Sequence, residues 1–195
     1  MNYFLAILVP THYAKRIEAL RREMAEWALR PQRSQPHISV KGSAGLDDDP
    51  EILTTIEEIV GRTAPFSVRL GDPAVFEGEP VLYLSVKSPG WSKLNRALID
   101  TIAARTGAEM HPIEASGWIP HLTIIRLKPD LLPRYPEILS ATAASLSPYP
   151  TFTVDSLRMY RQEVDEGPWI PFRDFALCGR TEGDESAQSR DQLGP

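Results

Sequence analysis

The hydrophobic and polar positions of this chain follow two different periods in turn. Segments with alternating or β-branched apolar residues predict strands at 3–9, 37–41, 65–70, 81–86, 119–127, 151–160 and 169–177. Segments whose apolar residues recur three or four positions apart predict helices at 11–29, 50–60, 91–105 and 131–145. Glycine and proline fall mainly between these segments, where they interrupt regular structure. The pattern therefore predicts an α+β fold.

The order of the predicted elements repeats once along the chain. Each half runs strand, helix, strand, helix, strand, and a proline followed by a histidine stands near the start of the second strand in each half. We interpret this order as an internal duplication. Because duplicated units often pack about a pseudo-two-fold axis, we expect equivalent faces of the two histidine strands to meet across a cleft.

Each histidine belongs to a five-residue motif made of proline, histidine, an apolar residue, a hydroxyl residue and an apolar residue. The motif reads PHISV in the first half, with His37 and Ser39, and PHLTI in the second, with His121 and Thr123. Side chains alternate between the two faces of a strand, so each histidine shares a face with its hydroxyl residue. The apolar residues point the other way, into the core. Two such strands facing each other predict a two-histidine site for acid–base chemistry on a phosphate.

Histidine suits this chemistry because its ordinary pKa is about 6.5. One imidazole starts neutral as the base and the other protonated as the acid, and the direction in which substrate binds decides which is which. His12 and His111 lie outside the motif and are interpreted as surface or helix-capping residues. Neither motif carries the carboxylate or thiol ligands of a zinc or manganese site, so the sequence predicts no metal and no cofactor.

Four further side chains are candidates for binding the substrate. Strand alternation places Lys41 on the same face as His37. Arg126 follows the second motif, although alternation places it on the face opposite His121. Arg158 and Tyr160 share one face of their predicted strand. Most lysine and arginine side chains on protein surfaces are simply solvated, so these four rank below the two motifs.

Composition and charge narrow the class of protein. The chain has 195 residues, 42% of them hydrophobic, and a net charge of −5, which is unlike proteins that coat long nucleic acids. Residues 1–178 are expected to form one bilobal domain, and the polar residues 179–195 a disordered tail.

The single cysteine, Cys178, excludes an internal disulfide and is expected to be buried. The first apolar segment is too short to span a membrane and no secretory signal is visible, so we expect a cytoplasmic protein.

The paired motifs, the first strand and the segment FTVDSLRMY at 152–160 resemble the 2H phosphoesterase superfamily. Its members include the bacterial 2′-5′ RNA ligase-like proteins and the cyclic nucleotide phosphodiesterases. The resemblance covers nearly all of the ordered chain. It implies a bilobal α+β fold with two antiparallel sheets flanked by helices around a central cleft, in which both chain ends build one lobe. It also implies that His37 and His121 are catalytic and that Ser39 and Thr123 bind phosphate.

The resemblance and the motifs together predict a hydrolase that opens a 2′,3′-cyclic phosphate without a metal. Its expected partner is a nucleotide or an RNA terminus carrying the cyclic phosphate, and no obligate protein partner or membrane is indicated. Three alternatives stay open: 2′-5′ RNA ligation by the same machinery in reverse, a non-catalytic RNA- or nucleotide-binding module, and a metal-dependent phosphoesterase.

Overall fold

The computed structural model describes residues 1–115 and 117–180. Within these residues the strands are β1 (Asn2–Leu8), β2 (His37–Lys41), β3 (Phe66–Val75), β4 (Val81–Lys87), β5 (His121–Arg126), β6 (Thr151–Val154), β7 (Ser156–Gln162) and β8 (Ile170–Ala176). The helices are α1 (Thr11–Glu23), α2 (Pro50–Arg62), α3 (Pro89–Thr106), α4 (Pro112–Ala115) and α5 (Tyr135–Leu146). None of the helices in the described residues is long and apolar enough to cross a membrane.

The described strands form one antiparallel sheet in the order β6-β3-β4-β5-β2-β1-β7-β8. The middle of the chain supplies β3 to β6, and the two end regions supply β1, β2, β7 and β8. The α+β class, the antiparallel strands and the interleaving of the two halves are as expected. The two predicted sheets are, however, continuous, because β2 and β5 pair at Ile38 and Leu122.

Helices cover each half of the curled sheet. Helices α1 and α5 pack together against β5 and β3, while α2 and α3 pack together against β2 and β8. Helix α2 begins where Asp49 accepts a hydrogen bond from the Glu51 backbone N–H, and α3 begins where Ser88 does the same for Trp91. Helix α3 ends at Gly107, whose φ of 67° is the left-handed conformation that glycine adopts without strain.

Two predicted elements differ from the structure because contacts with distant parts of the chain decide them. The helix predicted at 11–29 ends at Glu23, since Trp27 and Leu29 pair with the chain around Arg126 and Lys128 at the end of β5. The strand predicted at 151–160 is two strands, β6 and β7. The first pairs with β3 and the second with β1, so the chain crosses from one half of the sheet to the other at residue 155.

The end of the described chain also corrects one expectation. Cys178 is exposed, not buried, because it lies after β8 and its neighbour Gly179 turns back to donate a backbone hydrogen bond to Thr63. The tail predicted at 179–195 lies outside the described residues from 181 onward.

Candidate active site

The two histidines occupy equivalent positions on neighbouring strands. His37 is the first residue of β2 and His121 the first of β5. The residues that follow them, Ile38 and Leu122, are Cα partners across the antiparallel strands. A pairing that matches equivalent residues in antiparallel strands places a local two-fold axis between them. The two halves of the duplication inferred from the sequence are therefore joined at the two histidine motifs.

Both imidazoles are held by the same kind of hydrogen bond. Nδ1 of His37 lies 2.8 Å from the carbonyl oxygen of Gln35, and Nδ1 of His121 lies 2.9 Å from that of Ile119. A carbonyl accepts hydrogen bonds only, so each Nδ1 carries the proton and donates. Each Nε2 is thereby left as the nitrogen that accepts or delivers a proton in the neighbouring cleft.

The apolar residues of both motifs lie in the core, as the alternation predicts. Ile38 and Val40 are fully buried, and so are Leu122 and Ile124. Helix α3 fixes the first strand further, because Trp91 Nε1 donates to the Ser39 carbonyl at 3.0 Å. Asn95 Nδ2 likewise donates to the Val40 carbonyl, at 2.7 Å.

Each motif strand carries a β-bulge after its hydroxyl residue. Leu5 pairs with Lys41 but its neighbour Ala6 pairs with Ser39, so β2 has one extra residue here. In β5 the same shift lies between Thr123 and Ile125, opposite β4. A bulge reverses the alternation beyond it.

The first bulge turns Lys41 away from the face that alternation predicts. Its side chain is 2% exposed, and its ammonium donates to Glu114 at 2.9 Å and to the Ala44 carbonyl at 2.6 Å. Glu114 also accepts from the Gly42 backbone N–H at 3.0 Å. Lys41 thus ties the end of β2 to α4, in place of the predicted position beside His37.

The second bulge has the opposite effect on Arg126. Alternation predicts it on the face opposite His121, but the bulge buries Ile125 and returns Arg126 to the cleft, where it forms an ion pair with Glu79 at 3.4 Å. The remaining two candidates lie apart from the cleft lining. Arg158 forms a bidentate pair with Asp174, with both N–O distances 2.7 Å.

A stacked aromatic pair lies against His37. The Phe4 ring stacks on the Tyr160 ring at 4.9 Å and 11°, and the centroid of His37 lies 4.8 Å from that of Phe4. The Tyr160 hydroxyl accepts a hydrogen bond from the side-chain amide of Gln35. The backbone carbonyl of the same glutamine holds His37. The candidate Tyr160 is therefore buried behind the histidine, where it supports the ring and excludes water.

A second aromatic pair lies beside His121. Phe76 stacks on Tyr83 at 4.1 Å and 20°. The centroid of His121 lies 4.9 Å from Phe76 and 5.6 Å from Tyr83, with both contacts edge-to-face. Hydrophobic walls of this kind remove water from the imidazoles and disfavour their charged forms.

The two imidazoles nevertheless differ in electrostatic environment. Burial lowers the pKa of His37 to about 4, opposed by the hydrogen bond to Gln35 and assisted by the positive charges of Arg21 and His121. Burial also lowers the pKa of His121, but there the bond to Ile119 and the negative charge of Glu79 both oppose it. His37 is thus kept neutral mainly by burial, with help from neighbouring positive charge, whereas His121 lies beside an anion.

The histidines open into a cleft of about 830 Å³ that Thr123 also lines. Ser39 lines a smaller adjoining cavity of about 280 Å³, which shares His37 with the main cleft. Both histidines and Thr123 therefore line the main cleft, whereas Ser39 lines only the adjoining cavity. His111, interpreted from the sequence as a surface or capping residue, also lines the cleft.

Arg21 is the main site residue that the sequence pattern did not indicate. This α1 side chain lines the cleft, and its guanidinium donates to the carbonyls of Ile124 at 2.9 Å, Thr123 at 2.8 Å and Ser34 at 3.0 Å. It therefore joins the second motif to the loop that leads into the first. Burial lowers its pKa to about 10, so it stays positively charged at neutral pH.

In the described part of the chain, no group of three or more histidine, cysteine, aspartate or glutamate side chains is arranged to hold a metal ion.

The comparisons with known proteins agree with this fold. A family model described as the 2′-5′ RNA ligase superfamily matches residues 9–166. The crystal structure of TT0787 from Thermus thermophilus superposes with a TM-score of 0.67 at 18% identity, over 93% of this chain and 100% of that one. E. coli LigT in its apo form gives 0.62 at 20% identity, over 90% and 96% of the two chains. No curated protein matches the sequence.

Proposed function

The chain belongs to the 2′-5′ RNA ligase superfamily of 2H phosphoesterases, and we propose that it opens the 2′,3′-cyclic phosphate of a nucleotide or RNA end without a metal. One observation carries this proposal. Two histidines with the same Nδ1 anchor lie on paired strands and line one cleft. That arrangement supplies a base on one side of a bound phosphate and an acid on the other.

The nature of the ligand is supported by a structural neighbour. LigT of E. coli has been crystallised with 3′-AMP, at a TM-score of 0.60, and with ATP. At 20% identity this likeness establishes the fold, and its ligands suggest a nucleotide as the class to test here.

We assign the base to His37 and the acid to His121. Burial and the positive charge of Arg21 keep His37 neutral, which is the form that accepts a proton, whereas the negative charge of Glu79 favours protonated His121. A phosphate anion bound between the imidazoles raises the pKa of both, because a nearby negative charge favours the protonated form. The acid therefore holds its proton more firmly once substrate is in place.

In the proposed reaction, water attacks phosphorus and its proton passes to Nε2 of His37. The bond between phosphorus and one ribose oxygen breaks, and Nε2 of His121 delivers its proton to that oxygen. The product is a phosphate monoester with one free ribose hydroxyl, so atoms and charge balance. The hydroxyls of Thr123 and Ser39 donate to the non-bridging oxygens, where negative charge increases in the transition state.

The test is turnover of the four 2′,3′-cyclic nucleoside monophosphates in excess EDTA, with the product identified by phosphorus NMR. We expect a single monoester, 2′ or 3′, whose position identifies the leaving oxygen. Activity that EDTA abolishes would instead indicate a metal-dependent phosphoesterase. Tight binding without turnover of these nucleotides or of RNA ending in a cyclic phosphate would indicate a binding module. Joined RNA as the main product would indicate ligation.

A further inference from the structure

We propose that Arg30 and Arg33 form a second anion site at the same cleft, which binds a phosphate of the substrate other than the reacting one. This inference rests on the proposed function, and it specifies a substrate with at least two phosphates. Both arginines line the cleft that contains His37 and His121.

In the structure a single carboxylate stands between the two guanidiniums. Glu166 lies 3.7 Å from Arg30 and 3.6 Å from Arg33, measured from Nη to Oε atoms. The Glu166 side chain is 71% exposed, and exposed ion pairs of this length contribute little to stability. Both distances exceed that of a hydrogen bond, whereas a phosphate binds arginine with two parallel hydrogen bonds. It can therefore replace Glu166.

Charge balance also distinguishes this pair from Arg126, another cation that lines the cleft. Arg126 has Glu79 as its own carboxylate partner. Arg30 and Arg33 share one carboxylate, so this part of the cleft keeps a surplus positive charge that rises further when Glu166 is displaced. An anionic ligand satisfies that surplus.

The loop that carries the arginines is anchored to the reacting centre. The Ser34 carbonyl accepts from Arg21, which also holds the Thr123 backbone, and the Gln35 carbonyl accepts from His37. The Arg33 carbonyl accepts from the Trp169 backbone N–H at 3.3 Å. These bonds fix the spacing between the second site and the imidazoles, as recognition of two phosphates in one molecule requires.

Glu166 is held opposite the arginines by a strained turn. Its φ is 60°, a left-handed conformation that residues other than glycine and asparagine seldom adopt. The turn is closed by a hydrogen bond from Gly167 N–H to the Val164 carbonyl at 2.9 Å, and by one from Gln162 Nε2 to the Gly167 carbonyl at 2.8 Å. The carboxylate thus occupies the place of the second phosphate when the substrate is absent.

The size of the cleft suits a ligand larger than one nucleoside monophosphate. Its volume of about 830 Å³ is near the upper end of the range of about 300–1,000 Å³ for pockets that take drug-sized ligands. The second phosphate has two chemical sources: a 5′-phosphate on the reacting nucleotide, or the phosphodiester that joins it to the next nucleotide of an RNA.

Binding calorimetry tests the site with three product-like ligands. Adenosine 3′-phosphate has one phosphate, adenosine 3′,5′-bisphosphate adds a 5′-phosphate, and the dinucleotide ApAp adds an internucleotide phosphate. For the native protein we expect the bisphosphate or the dinucleotide to bind about tenfold more tightly than the monophosphate, in line with paired guanidinium–phosphate bonds. The ligand that shows the gain identifies the source of the phosphate.

Three variants test whether the two arginines cause the gain in affinity. The double variant Arg30→Gln/Arg33→Gln should reduce the gain to less than about twofold, and Glu166→Gln should increase it, because the competing carboxylate is lost. Arg105→Gln is the matched control, since Arg105 also forms an exposed ion pair, with Glu58, but does not line the cleft. A gain that survives in the double variant, or that is absent from the native protein, would overturn the proposal.

The same proteins, assayed for cyclic phosphate hydrolysis, separate the two proposals. A gain that depends on the arginines, in a protein that hydrolyses no cyclic phosphate, would refute the proposed function and retain the anion site. Hydrolysis by a protein whose gain does not depend on the arginines would do the reverse.

Discussion

Ile38 and Leu122 are Cα partners across β2 and β5. The residues directly before them are His37 and His121, and each histidine donates through Nδ1 to the carbonyl two positions earlier. The local two-fold relation therefore extends from the backbone to the two histidine side chains. The site follows from joining two copies of one motif at a single pair of core residues.

Replacing Leu122 with alanine should destabilise the protein by about 2–5 kcal/mol, because it leaves a cavity in the core where the two halves join. Leu122 is fully buried. The measurement is the free energy of unfolding from urea titration. Ile119→Ala is the control: that side chain is 59% exposed, and its loss should change stability by less than about 0.5 kcal/mol. Equal effects of both substitutions would contradict the assigned packing.

The pH dependence of kcat/KM should be bell-shaped with its maximum below pH 6.5. In the proposed mechanism His37 is the base and must be neutral, so the rate rises with pH through its pKa of about 4. The acid His121 must be protonated, so the rate falls above its pKa, which burial holds below the ordinary 6.5. The kcat/KM profile reports the free protein, in which no phosphate raises these values.

Glu79→Gln tests the assignment of the acid. The Glu79 charge raises the pKa of His121, so its removal should move the alkaline limb of the profile to lower pH and leave the acidic limb in place. Glu77→Gln removes another carboxylate from the cleft lining and serves as the matched control. Movement of the acidic limb instead would exchange the roles of the two histidines.

Arg21→Met should have two separable effects. Three backbone carbonyls lose a charged donor, so the free energy of unfolding should fall by at least about 2 kcal/mol. Loss of the positive charge should also raise the pKa of His37 and move the acidic limb of the profile to higher pH.

Arg21→Lys separates these two effects, because it keeps the charge but cannot form the three hydrogen bonds together. We expect stability to fall while the acidic limb stays in place. If the limb moves equally in both variants, the position of His37, not the charge of Arg21, sets its pKa.

Lys41→Met should destabilise the protein by about 3–5 kcal/mol, because it leaves the buried carboxylate of Glu114 without its ammonium partner. The double variant Lys41→Met/Glu114→Leu removes both charges and should recover much of that loss. Urea unfolding of the two single variants and the double variant gives the coupling energy. Strictly additive losses would show that the two side chains do not stabilise the fold as a pair.

The sequence predicted those elements that local pattern decides. The predicted bounds of the first histidine strand match β2, because its alternation, its preceding proline and its β-branched residues all favour a strand. The strand predicted at 151–160 was wrong in one respect. Nothing in its alternation marks residue 155 as the point where the chain leaves β3 and joins β1, since that depends on pairing with distant strands.

The same distinction between local pattern and distant contacts explains which site residues the sequence predicted. A motif repeated at equivalent positions identified both histidines. Two bulges turn Lys41 inward and Arg126 toward the cleft. They depend on the register with β1 and β4, which the alternation of residues along a single strand does not reveal. Arg21 could not be found from spacing, because its contacts with the second motif join residues more than 100 positions apart.

The central claim is tested most directly by the rate of cyclic nucleotide hydrolysis in EDTA for the native protein, His37→Ala, His121→Ala and the double variant. We predict that each single variant loses about 10²–10⁴-fold in kcat, and that the double variant loses much less than the product of the two, because the histidines act as a unit. His12→Ala, at an exposed histidine at the start of α1, should keep the native rate. Single variants that retain the native rate within about threefold, in folded protein, would contradict the two-histidine mechanism.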